Sequence, residues 1–162
     1  MKLSVIVNSS ITLELEPVDA TAVLTNCLLG NYPLFEGKDI KPKTIIPDKA
    51  VMVNCNAHAM ERIFQNLIQN ALKFATQNIE ITLTDEGVFT VSNDAPNLAA
   101  SDVSHLFERF YIADKARTSG SSGIGLYIVK RLLEKTGGGI KEVSLESGKF
   151  TLVIYFSKVV VQ

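Results

Sequence analysis

The chain is poor in cysteine and histidine and has no long apolar run, and each shortage closes off a class of function. Cys27 and Cys55 are far apart and lack the paired spacing of a metal-binding knuckle or a disulfide framework, so they read as reduced, buried thiols of a cytoplasmic protein. His58 and His105 stand alone, outside any metal-ligand array, and read as structural or solvated. No Ser-His-Asp or Cys-His constellation can be assembled from the chain. No apolar stretch reaches the roughly 18 residues of a membrane span, and Met1-Lys2 with the Leu-Ser-Val-Ile-Val that follows has no cleavage-site pattern. A net charge of −1 gives no general attraction to nucleic acid or to an anionic membrane surface. Repeats and low-complexity tracts are absent too. With 46% hydrophobic and 20% charged residues, the 162-residue chain has ordinary globular composition and length for one well-cored domain.

The most informative stretch runs from Glu61 to Phe74. Ile63, Phe64, Leu67, Ile68, Ala71 and Leu72 recur at helical spacing and form one apolar stripe. At roughly 100° per residue, Asn66, Asn70, Lys73 and Phe74 fall on one flank of that stripe. Arg62, Gln65 and Gln69 take the solvent side. The two asparagines therefore sit at the seam between core and water, where amide oxygens can meet a ligand without being buried unpaired.

Around this helix the chain predicts alternating elements. Ile11 to Glu16 alternates with period two and predicts a strand stopped by Pro17. Asp19 is an N-cap for a helix through Val23, Leu24, Cys27 and Leu28, closed by Pro33 and Gly37. Thr44 to Ile46 and Val51 to Val53 flank the turn signal Pro47-Asp48 and predict a hairpin. Asn56 caps the central helix, which continues to about Ala75. Ile79 to Thr84 and Val88 to Ser92 predict a second strand pair over Asp85-Glu-Gly87. The span from Asn93 to Ala100 is turn-rich, and Ser101 caps one or two helical turns ending near Phe107. A polar loop over 111–122 leads to a helix that opens at Gly123 and stops at Gly137-Gly-Gly139. Ile140 to Leu145 and Phe150 to Phe156 pair over Ser147-Gly148. This order implies a layered α+β sandwich, not a doubly wound parallel sheet.

Gly120-Ser-Ser-Gly-Ile-Gly125 leads straight into an apolar helix. Glycines there permit close backbone approach, and the unpaired first amides with the positive helix end form a phosphate cradle. The dinucleotide fingerprint fails because its third glycine position holds Ile128, and the phosphate-loop pattern fails because no Gly-Lys-Ser/Thr follows. Arg109, Lys115 and Arg117 form a small basic group just upstream; on a bare surface they would be solvated and nearly neutral in energy, beside a polyphosphate they neutralise charge. Lys73 adds a fourth cation. Asn70 offers an amide oxygen of the hard type that suits Mg²⁺, and Phe74 a flat apolar face for a base.

Together these segments resemble a known family. Asn66-Leu-Ile-Gln-Asn-Ala-Leu-Lys-Phe74 is similar to the N box of bacterial sensor histidine kinases, and Leu106-Phe-Glu-Arg-Phe-Tyr111 to their F box. Gly120-Ser-Ser-Gly-Ile-Gly-Leu126, running on to Ile128-Val-Lys130, resembles their second glycine box. Order and spacing agree, and the resemblance covers about residues 11–157. It implies the Bergerat fold: a two-layer sandwich of helices on one face of a mixed, mostly antiparallel sheet, with ATP between the central helix and a lid. It places Asn70 as the Mg²⁺ ligand, Lys73 against phosphate and Phe74 near the adenine. Asn66 and Arg109 take the catalytic positions. Asn66 stands where hydrolysing relatives carry a glutamate base; an amide cannot accept the proton of an attacking water, so hydrolysis is expected to be slow. Arg109, Lys115 and Arg117 face the phosphates, and Gly120, Ser122, Gly123, Ile124, Gly125 and Leu126 bring lid backbone to the nucleotide. Leu98, Phe110 and Thr151 complete the implied pocket.

Two departures qualify the resemblance. Where the family has Asp-x-Gly-x-Gly, the chain reads Asn93-Asp-Ala-Pro-Asn97. Asn93 can still accept from the adenine amino group, as a neutral and so weaker acceptor, and Asp94 is an alternative acceptor if the turn is rearranged. The family also phosphorylates a histidine on a dimerising helix, and neither histidine here has that setting. The expectation is an ATP-binding catalytic domain over 11–162, with residues 1–10 as the tail of an upstream helical domain. Its partners are then its own dimerisation domain and, through the parent kinase, a response regulator. This piece is expected to be monomeric and cytoplasmic, with an inner-membrane sensor as parent. The rival expectations are a regulatory pseudo-kinase working by protein contact and a slow ATPase of the same sandwich.

Overall fold

A computed structural model describes residues 13–108 and 125–159. Eight strands and five helices follow one another there: β1 (Glu16–Asp19), α1 (Ala20–Gly30), α2 (Tyr32–Gly37), β2 (Lys43–Ile45), β3 (Met52–Cys55), α3 (Ala57–Phe74), β4 (Ile79–Leu83), β5 (Val88–Asp94), α4 (Ala100–Val103), α5 (Gly125–Thr136), β6 (Gly139–Glu146), β7 (Lys149–Tyr155) and β8 (Ser157–Lys158). Five strands form a mixed sheet in the order β2-β4-β5-β7-β6, parallel only between β2 and β4. The other three make a small antiparallel sheet, β1-β3-β8. The expected α+β sandwich with a mostly antiparallel sheet is what the chain adopts.

The period-two pattern of the sheet explains its layering. Ile79, Ile81 and Leu83 are buried, as are Phe89 and Val91 opposite them and Phe150, Leu152 and Ile154 beyond. Cα partners across an antiparallel ladder share a face, so these residues make one apolar surface. The central helix lays its stripe on that surface, with Ile63, Phe64 and Ile68 fully buried. The Phe64 ring meets Phe89 at 4.9 Å and Phe156 at 5.5 Å, tilted and edge-on. Such aromatic contacts add about 0.5–1.5 kcal/mol each beyond burial alone. Helix α5 lies beside α3, its Ile128, Val129, Leu132 and Leu133 buried in the same core.

Local signals account for most element ends. The Asp19 carboxylate accepts from the amides of Thr21 (3.0 Å) and Ala22 (3.4 Å), and also from Val51, tying helix α1 to the start of β3. Asn56 accepts from the Ala59 amide at 3.0 Å and opens α3. Gly137 stops α5 in the left-handed region, at φ 83°.

Four expectations fail. Pro17 does not stop a strand but lies inside β1, an edge strand where its missing N–H costs no ladder bond. Pro33 does not close the first helix; it sits in the first turn of α2, the one helical place that suits it. The hairpin around Pro47-Asp48 does not form, because β2 pairs with β4 and β3 with β1 and β8, in two different sheets. Helix α4 starts at Ala100, ahead of Ser101, and its opening amide at Ala99 is taken by the Asp102 carboxylate at 3.1 Å.

Candidate functional site

The polar flank of α3 is where side chains with nucleotide chemistry collect. Asn66 is half-buried, at the seam expected for both asparagines, whereas Asn70, 9% exposed, is buried, as is Phe74. Asn66 Nδ2 donates to the Gly125 carbonyl at 3.0 Å. That bond sets the first residue of α5 against the middle of α3, bringing the start of the second glycine helix to the N-box flank. Leu126, next along, is buried. The Lys73 ammonium lies 5.1 Å from the centre of the Phe74 ring, within cation–π range. Partial desolvation lowers the Lys73 pKa from its ordinary value. The expected solvent face is partly corrected: Gln69 is exposed, but Gln65 accepts from Asn31 Nδ2 at 2.9 Å and is half-buried.

The end of β5 supplies the second wall. Asn93 pairs with Ile79 and Phe150, both core residues, and therefore shares the helix-facing side of the sheet. Its Nδ2 donates to the Asp94 carbonyl at 2.9 Å. A carbonyl requires a donor opposite it, which fixes the amide so that Oδ1 points the other way and can accept. Leu98, buried, closes a turn through its amide to the Ala95 carbonyl at 3.2 Å.

Asp94 plays another part. Its carboxylate accepts from the Thr76 hydroxyl and from the amides of Thr76 (3.1 Å), Gln77 (3.1 Å) and Asn78 (2.8 Å). Burial by itself raises this carboxyl, but the Thr76 hydroxyl and the three amides outweigh it and hold the pKa at about 2. Asp94 is an alternative base acceptor only if the turn is rearranged; here its oxygens are committed to the turn after α3. Sequence reasoning missed Thr76, whose only visible signal was a polar residue just past a helix end.

Thr151 is not brought to this wall. It pairs with Ser92 and Ser144, on the face opposite Asn93 and Phe150, so it cannot line the helix side of the sheet. Arg109, Phe110, Lys115, Arg117, Gly120, Ser122, Gly123 and Ile124 lie outside the described residues. His105 binds Glu108 at the surface at 2.6 Å and His58 is exposed, as their lone settings implied. Among the described residues there is no cluster of three His, Cys, Asp or Glu that could hold a metal ion. Asn70 could give one hard cation a single amide oxygen, with its other ligands left to phosphate and water.

Comparison with known proteins bears on the family and the fold. Residues 55–159 match the family described as "Histidine kinase-, DNA gyrase B-, and HSP90-like ATPase". Sensor histidine kinase YcbM of Bacillus subtilis is 32% identical over 136 residues, covering 78% of this chain and 44% of that protein. The chain thus spans less than half the length of this relative. Among solved structures, the catalytic domain of histidine kinase ThkA superposes with a TM-score of 0.78 at 17% identity, over 90% of this chain and 97% of that one. Full-length ShkA in complex with AMPPNP gives 0.76 at 24% identity, over 98% of this chain and 35% of that one. The chain belongs to the histidine kinase-, DNA gyrase B- and HSP90-like ATPase family, as an ATP-binding domain of the sensor-histidine-kinase kind.

Proposed function

We propose that this domain binds Mg·ATP and donates the γ-phosphoryl group to a histidine on a dimerisation domain outside the chain, for relay to a response regulator. A ring nitrogen of that histidine would attack the γ-phosphorus as the bond to the β-phosphate oxygen breaks, releasing ADP. The observation that carries the reading is the bond from Asn66 to the Gly125 carbonyl, which packs the start of α5 directly against the α3 flank. Asn70 would hold the metal ion, Lys73 would meet phosphate, Phe74 and Leu98 would pack against the base, and Asn93 Oδ1 would accept from its amino group. Arg109, Phe110, Lys115, Arg117, Gly120, Ser122, Gly123 and Ile124 take nucleotide and lid roles by sequence position, with Gly125 and Leu126 continuing the lid into α5.

Catalysis in such a site is positioning and charge neutralisation. Asn66 supplies no general base, so water gains no activation and the phosphoryl group is kept for the histidine. No described helix is long and apolar enough to cross a membrane; a cytoplasmic domain of an inner-membrane parent is part of the proposal. The test is calorimetry with ATP, with and without Mg²⁺, then transfer from labelled ATP to a supplied dimerisation domain. Binding that strengthens with Mg²⁺ and is lost in Asn70→Ala, together with labelled histidine, is the expected result. No binding by the wild type, or persistent absence of label in an intact complex, overturns it.

A further inference from the structure

We infer that Lys38 is a positioning residue for the nucleotide-facing end of α3. The last carbonyls of a helix lack intrahelical partners. Here the Ala75 amide takes the Ala71 carbonyl at 2.8 Å. The Lys38 ammonium reaches across from the end of α2, donating to the Leu72 carbonyl and to the Ala75 carbonyl, the latter at 2.7 Å. These two carbonyls bracket Lys73 and Phe74. One cation therefore clamps the segment that presents both side chains, and it does so at the negative end of the helix dipole, where a positive charge is favoured.

The base of Lys38 is itself fixed. Its amide returns to the carbonyls of Leu34 and Phe35 at 3.2 and 3.3 Å, Asp39 reverses the chain at φ 55°, and the Ile40 amide returns to Phe35 at 3.0 Å. Phe35 and Ile40, both buried, anchor the turn in the core. The clamp therefore ties Lys73 and Phe74 to the core through α2 as well as through α3. Losing the ammonium frees two carbonyls and lets the last turn fray, displacing the Lys73 charge and the Phe74 ring. This inference rests on the proposal that those two residues meet ATP.

The experiment compares Lys38→Met, which keeps the aliphatic stem, with Lys38→Arg, which keeps the charge, and with Lys141→Met, on the exposed face of β6, as a control for net charge. Amide hydrogen exchange is read at residues 73–75 without nucleotide, and the ATP dissociation constant by calorimetry. Lys38→Met is expected to speed exchange there about tenfold and to raise the dissociation constant about three- to tenfold by loosening a preorganised contact. Lys38→Arg should restore both, and Lys141→Met should change neither. Should Lys38→Met not fold, Lys38→Gln is expected to show the same order at smaller amplitude. Unchanged exchange at 73–75 refutes the clamp, and faster exchange with unaltered ATP affinity refutes its positioning role. If the wild type bound no ATP, the nucleotide reading would fail while the exchange data still judged the clamp.

Discussion

Asp94→Asn tests how the turn leaving α3 is held. The carboxylate takes three amides and a hydroxyl from residues 76–78, and its pKa falls from 3.8 to about 2. Each pKa unit corresponds to about 1.4 kcal/mol, so the depression caps the carboxylate's contribution near ~2.5 kcal/mol. The hydrogen bonds lie at the surface, where solvent screening reduces that figure to about 1–2 kcal/mol. An asparagine keeps the shape but turns an N–H toward donors that need an acceptor. At pH 7 the variant should lose about 1–2 kcal/mol, a Tm drop of roughly 2–8 °C for a chain of this size. Because the folded pKa lies below the unfolded one, this stability is complete above about pH 4 and vanishes as pH falls through about 2. Urea titrations from pH 7 to pH 2 should therefore show the wild-type advantage shrinking across that window. An advantage that persists undiminished at pH 2, or none at pH 7, would refute the reasoning.

Other perturbations probe the core and the buried thiols. Phe64→Ala removes a fully buried ring touching Phe89 and Phe156, and should cost about 3–5 kcal/mol in denaturant titrations. Gly87 has φ 82°, and a Cβ there would come within 2.7 Å of the Val53 side chain; Gly87→Ala should lower Tm by several degrees, about 1–3 kcal/mol by analogy with overpacking. Burial and the nearby Glu61 push the Cys27 thiol up to about 11, so its labelling by a maleimide at pH 8 should be slow and accelerate steeply with urea.

The parts legible in the sequence were those set by local chemistry. Asp19 and Asn56 cap the helices they were expected to cap. The stripe from Ile63 to Leu72 is the buried face of α3, and the β4–β5 and β6–β7 pairs form over their turn residues. The failures came where a distant partner decides. Thr44 and Ile45 have strand character, but their partner is β4, more than thirty residues on, instead of the nearer β3. Pro17 and Pro33 have the local signature of breakers, whereas the structure uses one on a sheet edge and the other in a helix's first turn. In the site, the α3 flank followed from helical geometry alone. Thr151 was carried by motif likeness, and strand alternation puts it on the wrong face. Asp94 and Lys38 were invisible in their true parts because both act on partners far along the chain, 16 and 37 residues away for Asn78 and Ala75, where no local spacing marks the contact.

The contact between Asn66 and Gly125 also bears on how such a domain could change trade. A hydrolase needs a proton acceptor near the terminal phosphate, and the exchange that would supply one at this position is Asn66→Glu. In this chain that exchange would set a carboxylate against a peptide oxygen that now receives a hydrogen from the amide. Two acceptors facing each other repel, so the entry to α5 would have to move before the new base could be tolerated. On the proposed reading, wasteful turnover is guarded against twice, by the missing base and by the neighbour that rejects one.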